Sequence, residues 1–120
     1  MKKLLFVLLF SLTSLFAFED INTNNFDEKV SNKNVIVDFY YSWWPACDAL
    51  GKSLTKYNTS KKEDVTIYKV NLEEEKALAK KFNIKSWPVL VYLKDGKIQA
   101  QEVGVRSAKE IEKNVQKFFK

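Results

Sequence analysis

At 120 residues, with 46% apolar and 14% aromatic side chains, the chain is sized for one hydrophobic core and is not a disordered protein. Its 20 Lys+Arg against 15 Asp+Glu give a net charge of +5, but the lysines are interleaved with acids, so the excess means solubility and argues against nucleic-acid binding. The chain has no histidine and one cysteine, which excludes histidine-dependent acid–base catalysis and an internal disulfide; no metal site and no cofactor is expected.

Met1-Lys2-Lys3 is a short positive region, Leu4 to Phe16 is almost entirely Leu, Phe and Val, and small residues end at Ala17 before Glu19-Asp20. That layout predicts a secretory signal peptide over 1–17 and an exported bacterial protein, periplasmic or secreted. The apolar run is shorter than the roughly 20 residues that span a bilayer comfortably. An uncleaved membrane anchor is the alternative, because Leu15 is bulky for its position two before the cut, and a membrane is a partner only in that case.

Residues 18–120 form the predicted domain. Phe18 to Ile21 reads as a short first strand, and Thr23 or Asn24 as the cap of a short helix to about Val30, with Asp27 and Glu28 in its first turn. Val35 to Tyr41 is the strongest strand signal, and its near-continuous apolar character predicts a central strand covered on both faces. Pro45 sits where a helix begins, running to about Tyr57, and polar Asn58 to Asp64 leads to a second apolar strand, Val65 to Asn71. Asn71 with Glu74 resembles a capping box opening a helix through about Phe82. Ser86-Trp87-Pro88 precedes a strand over Val89 to Leu93, Lys94-Asp95-Gly96-Lys97 is a hairpin turn, and Ile98 to Val103 returns antiparallel. Ser107-Ala108-Lys109-Glu110 is a capping box, followed by Ala108, Ile111, Val115 and Phe118 at helical spacing. The order β-α-β-α-β-α-β-β-α predicts an α/β domain, a central mixed sheet with helices on both faces.

Chemistry concentrates in Val35 to Leu50, VIVDFYYSWWPACDAL, which carries Asp38, Trp43, Trp44 and the only cysteine, Cys47. With Lys69, Trp87-Pro88, Asp95-Gly96 and Val103-Gly104 in order at the right intervals, this stretch resembles the thioredoxin family. The resemblance covers essentially the whole chain from Phe18 onward and implies a thioredoxin-like fold. In that family the strand aspartate precedes the first active-site cysteine by six residues and the second by nine; Asp38 is six before Trp44 and nine before Cys47. The resemblance therefore places Cys47 at the second, resolving position, and Trp44 where the nucleophile belongs.

With tryptophan there, the two-thiol exchange cycle cannot run in this form. The resemblance implies that Asp38 and Lys69 are a proton relay for Cys47, or else a satisfied polar pair in the core. It implies a groove for an extended protein or peptide at Trp43, Trp44, Trp87, the cis-type Pro88 and Gly104; the alternative for the tryptophans is that they pack on one another and seal the site. Trp44 is expected to cover Cys47, which is then either a monothiol or an inert buried side chain. The expected function is a peptide-binding or chaperone-like module in thiol-disulfide homeostasis, with a thiol-disulfide oxidoreductase as the alternative, through Cys47 alone or as a variant of an active enzyme. Pro45-Ala46 departs from the thioredoxin Gly-Pro pair, and the Ala-Cys ending is similar to the C-terminal domain of membrane-bound periplasmic thiol reductases. Lys52 stands where the family's helix-kinking proline falls.

Overall fold

The computed structural model describes residues 18–120. The predicted signal segment, 1–17, lies outside the described residues. In chain order the elements are β1 (Glu19–Asp20), α1 (Phe26–Val30), β2 (Asn34–Tyr40), α2 (Pro45–Ser60), β3 (Val65–Asn71), α3 (Lys76–Lys81), β4 (Val89–Lys94), β5 (Lys97–Val103) and α4 (Ala108–Phe119). The expected order is therefore found. The sheet runs β1-β3-β2-β4-β5. β1 and β2 lie parallel to β3, whereas β4 is antiparallel to β2 and β5 to β4.

β2 is the central strand, and its side chains alternate between two cores. Val35, Val37 and Phe39 pack with Phe26 and Val30 of α1 and with Leu78 and Phe82 beyond. Ile36 packs instead with Leu50, Leu54 and Tyr57 of α2 and with Ile111, Val115 and Phe119 of α4. A strand buried on both faces needs the near-continuous apolar run that the sequence shows. Asp38 interrupts that run, and it is the one buried charged side chain among the described residues, 3% exposed.

The C-terminal helix holds the second core shut. Its capping box forms as predicted: Ser107 Oγ accepts from Glu110 N–H at 3.1 Å, and Glu110 Oε1 accepts from Ser107 N–H at 2.9 Å. Phe119 is the more deeply buried of the terminal pair, with Phe118 half-buried against the Tyr92 ring at 5.1 Å. Substituting Ser107→Ala is expected to lower unfolding stability by about 1 kcal/mol, read by urea denaturation, with no change of fold.

Two predicted helix starts are corrected. Thr23 and Asn24 do not cap α1. Asn22 Oδ1 instead accepts the N–H groups of Asn24 and Asn25 in an Asx-type turn, and Thr23 is drawn to Glu75 Oε1 by both its N–H and its hydroxyl, at 2.8 and 3.0 Å. Asn71 and Glu74 do not form a capping box either. Asn71 Oδ1 accepts from Glu73 N–H at 2.9 Å, its carbonyl accepts from Glu74 and Glu75, and the helix begins only at Lys76. α2 also runs one turn further than the polar Asn58-Thr59-Ser60 suggested. The hairpin turn is as expected: Asp95 and Gly96 both have positive φ, 50° and 76°, as a two-residue turn between twisted antiparallel strands requires.

Candidate functional site

The site is built where β2 ends and α2 begins. Pro45 opens α2 because its fixed φ suits the first helical position and its missing N–H would be unpaired there anyway. Trp44 is the residue before it, in extended conformation at φ −97°, and its carbonyl accepts the N–H groups of Cys47 at 3.0 Å and Asp48 at 3.2 Å. This first turn fixes Cys47 on the inner face of α2, where it is 5% exposed. Its Sγ accepts the Tyr41 N–H at 3.5 Å. Burial pushes the Cys47 thiol above its usual range and the charge of Asp38 adds to this, while the Tyr41 N–H opposes both. That shift disfavours the thiolate, the opposite of what a nucleophile at a helix N-terminus needs.

An aromatic rim surrounds this turn. The rings run in sequence by contact: Trp43 meets Trp44 edge-on at 5.5 Å between centroids, Trp44 meets Trp87 at 6.5 Å, Trp87 meets Tyr41 at 4.7 Å, and Tyr41 returns to Trp43 at 5.2 Å. The tryptophans do pack on one another, yet Trp43 stays 59% exposed and Trp44 41%. The rings therefore pack on one another without being closed off from solvent. The Trp87–Pro88 peptide bond is cis. Gly104 has φ +100° and donates its N–H to the Pro88 carbonyl at 2.8 Å, a left-handed conformation that favours glycine. Trp43, Trp44, Trp87, Pro88 and Gly104 are therefore brought to one end of the sheet.

Asp38 and Lys69 do not form the expected polar pair. They are register neighbours on β2 and β3, but the Lys69 ammonium lies 3.6 Å from Asp20 Oδ2 on β1 and 5.3 Å from the centre of the Tyr40 ring. Among the described residues the Asp38 carboxyl has Oδ1 buried and without a hydrogen-bond partner. Burial pushes it up from its ordinary 3.8 to about 7; the positive charge of Lys69 pulls it down and Asp20 pushes it up further. Asp38 and Cys47 line the same solvent-open cleft of about 470 Å³, with Phe18, Asp48, Gly51, Lys52, Thr55 and Lys69. Trp44 is absent from that lining. Its ring packs toward Trp43 and Trp87, so the described opening beside Cys47 lies on the Asp38 side.

Three contributors escaped the sequence reading. Tyr41 supplies both the N–H on Cys47 and a ring of the rim; its position two residues after Phe39, on the same face, was the available signal. Asp20 takes Lys69 through the β1–β3 pairing, with Asp20 opposite Lys69. Glu73 accepts the Ser42 hydroxyl at 3.1 Å and ties the loop after β3 to the rim.

Comparison with known proteins agrees with this architecture. The family model described as Thioredoxin matches residues 17–117. The chain is 32% identical over 84 residues to a thioredoxin of Mycoplasmoides gallisepticum, covering 69% of this chain and 83% of that protein. It is 33% identical over 86 residues to a thioredoxin of Chlamydia pneumoniae, covering 72% and 83%. It is also 28% identical over 95 residues to the chloroplastic thioredoxin Y2 of Arabidopsis thaliana, where the match spans 78% of this chain but only 57% of that longer protein. Among solved structures, chloroplastic thioredoxin z superposes with a TM-score of 0.76 at 20% identity, covering 85% of this chain and 94% of the other, a likeness of fold. Sheet order, cis proline and family match converge, and the chain belongs to the thioredoxin family.

Proposed function

We propose that this protein is an exported thioredoxin-type binding module that takes an extended protein or peptide segment on its aromatic rim and does not perform dithiol catalysis. The observation that carries the reading is the state of the only cysteine: Cys47 sits on the inner face of α2, 5% exposed, where burial pushes its thiol above the usual range. The position expected for a nucleophilic thiol, at the start of α2, is held by Trp44. What remains usable is surface. Trp43 and Trp44 present large apolar area at low conformational cost, and such side chains dominate peptide and protein recognition. The Pro88 carbonyl and Gly104 N–H, bonded to each other, fix the backbone beside them. Export rests on the N-terminal sequence pattern alone, and a role in thiol-disulfide homeostasis rests on family membership.

A second reading, residual thiol chemistry, draws support from Cys47 and the buried Asp38 lining one cleft. In that reading Asp38 takes the thiol proton and Lys69 tunes it by charge. Titrating the protein with extended peptides of apolar centre, read by tryptophan fluorescence, tests the first reading. Saturable binding is expected, weakened roughly tenfold by Trp43→Ala, the effect of losing about 1–2 kcal/mol at an anchor residue. No saturable change with any peptide of a diverse extended set would remove the binding-module reading.

A further inference from the structure

We propose that the cleft floored by Asp38 binds a compact organic cation, a primary ammonium or guanidinium on a short apolar stem, with its head on the Asp38 carboxylate. This goes beyond the peptide-binding reading, which uses the aromatic rim. The argument is one of unmatched charge. Of the charged side chains lining the cleft, Lys52 already has Asp48 Oδ2 at 3.4 Å, one helical turn away. Lys69 has Asp20 Oδ2 at 3.6 Å. Among the described residues Asp38 alone has no counter-charge within ion-pair distance, and its Oδ1 is buried with no donor. A buried carboxylate without a counter-charge is costly, and a ligand that brings positive charge into the cleft that Asp38 lines offsets that cost.

Other ligand chemistries fit less well. An anion would place a second negative charge beside Asp38. A neutral apolar molecule would fill space and leave the Asp38 charge uncompensated. A divalent ion wants several oxygen ligands, and among the described residues no three acidic or cysteine side chains converge. The wall suits a short stem: Phe18 and Cys47 are apolar, and Gly51 leaves room, because a side-chain carbon built there would meet no atom within 4 Å. The same opening allows the site to be blocked without touching Asp38, by Gly51→Leu, a change that a helix tolerates well.

The charged groups around Asp38 are Lys69 and Asp20 on the strands and Asp48 and Lys52 on α2, with the Cys47 thiol beside them. Titrating the full chain with n-butylammonium chloride at pH 8, read by amide chemical shifts in nuclear magnetic resonance, tests the proposal. Saturable shifts at the Gly51 and Thr55 amides are expected. They should be absent with n-butanol and with sodium butyrate, and absent in Asp38→Asn and Gly51→Leu. Because Asp38 must be ionised, affinity at pH 5.5 should be roughly tenfold or more weaker. An acetylated, amidated Gly-Lys-Gly peptide separates the two sources of this chemistry. Binding of butylammonium alone means a free small cation, and binding of both means that a lysine side chain can also enter. Absence of saturable shifts with either probe, or equal shifts with butanol or in Asp38→Asn, would mean that the cleft holds only water.

Discussion

Replacing Asp38 with asparagine is expected to stabilise the protein at pH 8 by on the order of 4 kcal/mol and to change little at pH 4 or below. The carboxyl sits 3% exposed in the α2-facing layer of the sheet, with Oδ1 unpaired. Burial raises it from 3.8 to about 7, so the folded protein holds a proton there that the unfolded chain has released. Wherever the folded state binds more protons, unfolding free energy falls as pH rises. The native protein should therefore lose stability steadily between about pH 4 and pH 7, and hold a constant penalty from this group above that range. Roughly three pKa units at about 1.4 kcal/mol each give the magnitude. Asparagine keeps the shape and removes the ionisation, so the Asp38→Asn variant should lose the slope between pH 4 and pH 7. Urea unfolding of both proteins across pH 4–8 measures it. Parallel curves with a constant offset would show that Asp38 ionises in the fold as easily as in water.

Introducing a thiol at position 44 is expected to have the largest effect on activity. Trp44 is the residue immediately before Pro45, at the N-terminus of α2, where unpaired N–H groups and the helix dipole favour a thiolate. A thiol placed there by Trp44→Cys would be partly exposed, as Trp44 is, and would attack a substrate disulfide, releasing one substrate thiolate and leaving a mixed disulfide. Cys47, three residues on and on the inner face of the same helical turn, would then attack the mixed disulfide and release the second substrate thiol. Asp38, in the same cleft and near neutral in its titration, is placed to accept the Cys47 proton in that second step. Reduction of a protein disulfide with dithiothreitol as the electron source should rise from background to clear catalysis in Trp44→Cys. It should fall back in the double variant with Cys47→Ser, which would trap the mixed disulfide. An inactive Trp44→Cys protein that still folds would mean that the surrounding site no longer supports the chemistry.

The strands were legible because each is set by its own residues. The near-continuous apolar run of β2 read as a doubly covered strand, and Asp95-Gly96 could take two successive positive φ values more readily than most pairs. The capping box at Ser107 was legible because both partners lie within one helical turn. What failed was whatever depended on a distant partner. Thr23 looked like a cap, but its hydrogen bonds go to Glu75, 52 residues away. Lys69 looked like the companion of Asp38, but β1 brings Asp20 to its other side, and a two-residue strand gives little sequence signal for that pairing. The rim tryptophans were found as a group through their family positions. The fourth ring, Tyr41, was hidden because a tyrosine at a strand end reads equally well as core. Asp38 is the instructive case: its presence in an apolar run was visible, whereas its lack of a partner was not.

The central claim is that this fold keeps the rim and the resolving-position thiol and has no dithiol catalysis. The direct measurement is the rate at which the unmodified protein accelerates reduction of an insulin-type disulfide by dithiothreitol, against the Cys47→Ser variant at equal concentration. Identical rates, both at the uncatalysed background, are predicted. Turnover by the unmodified protein above the Cys47→Ser background would contradict the account and make Cys47 a working thiol.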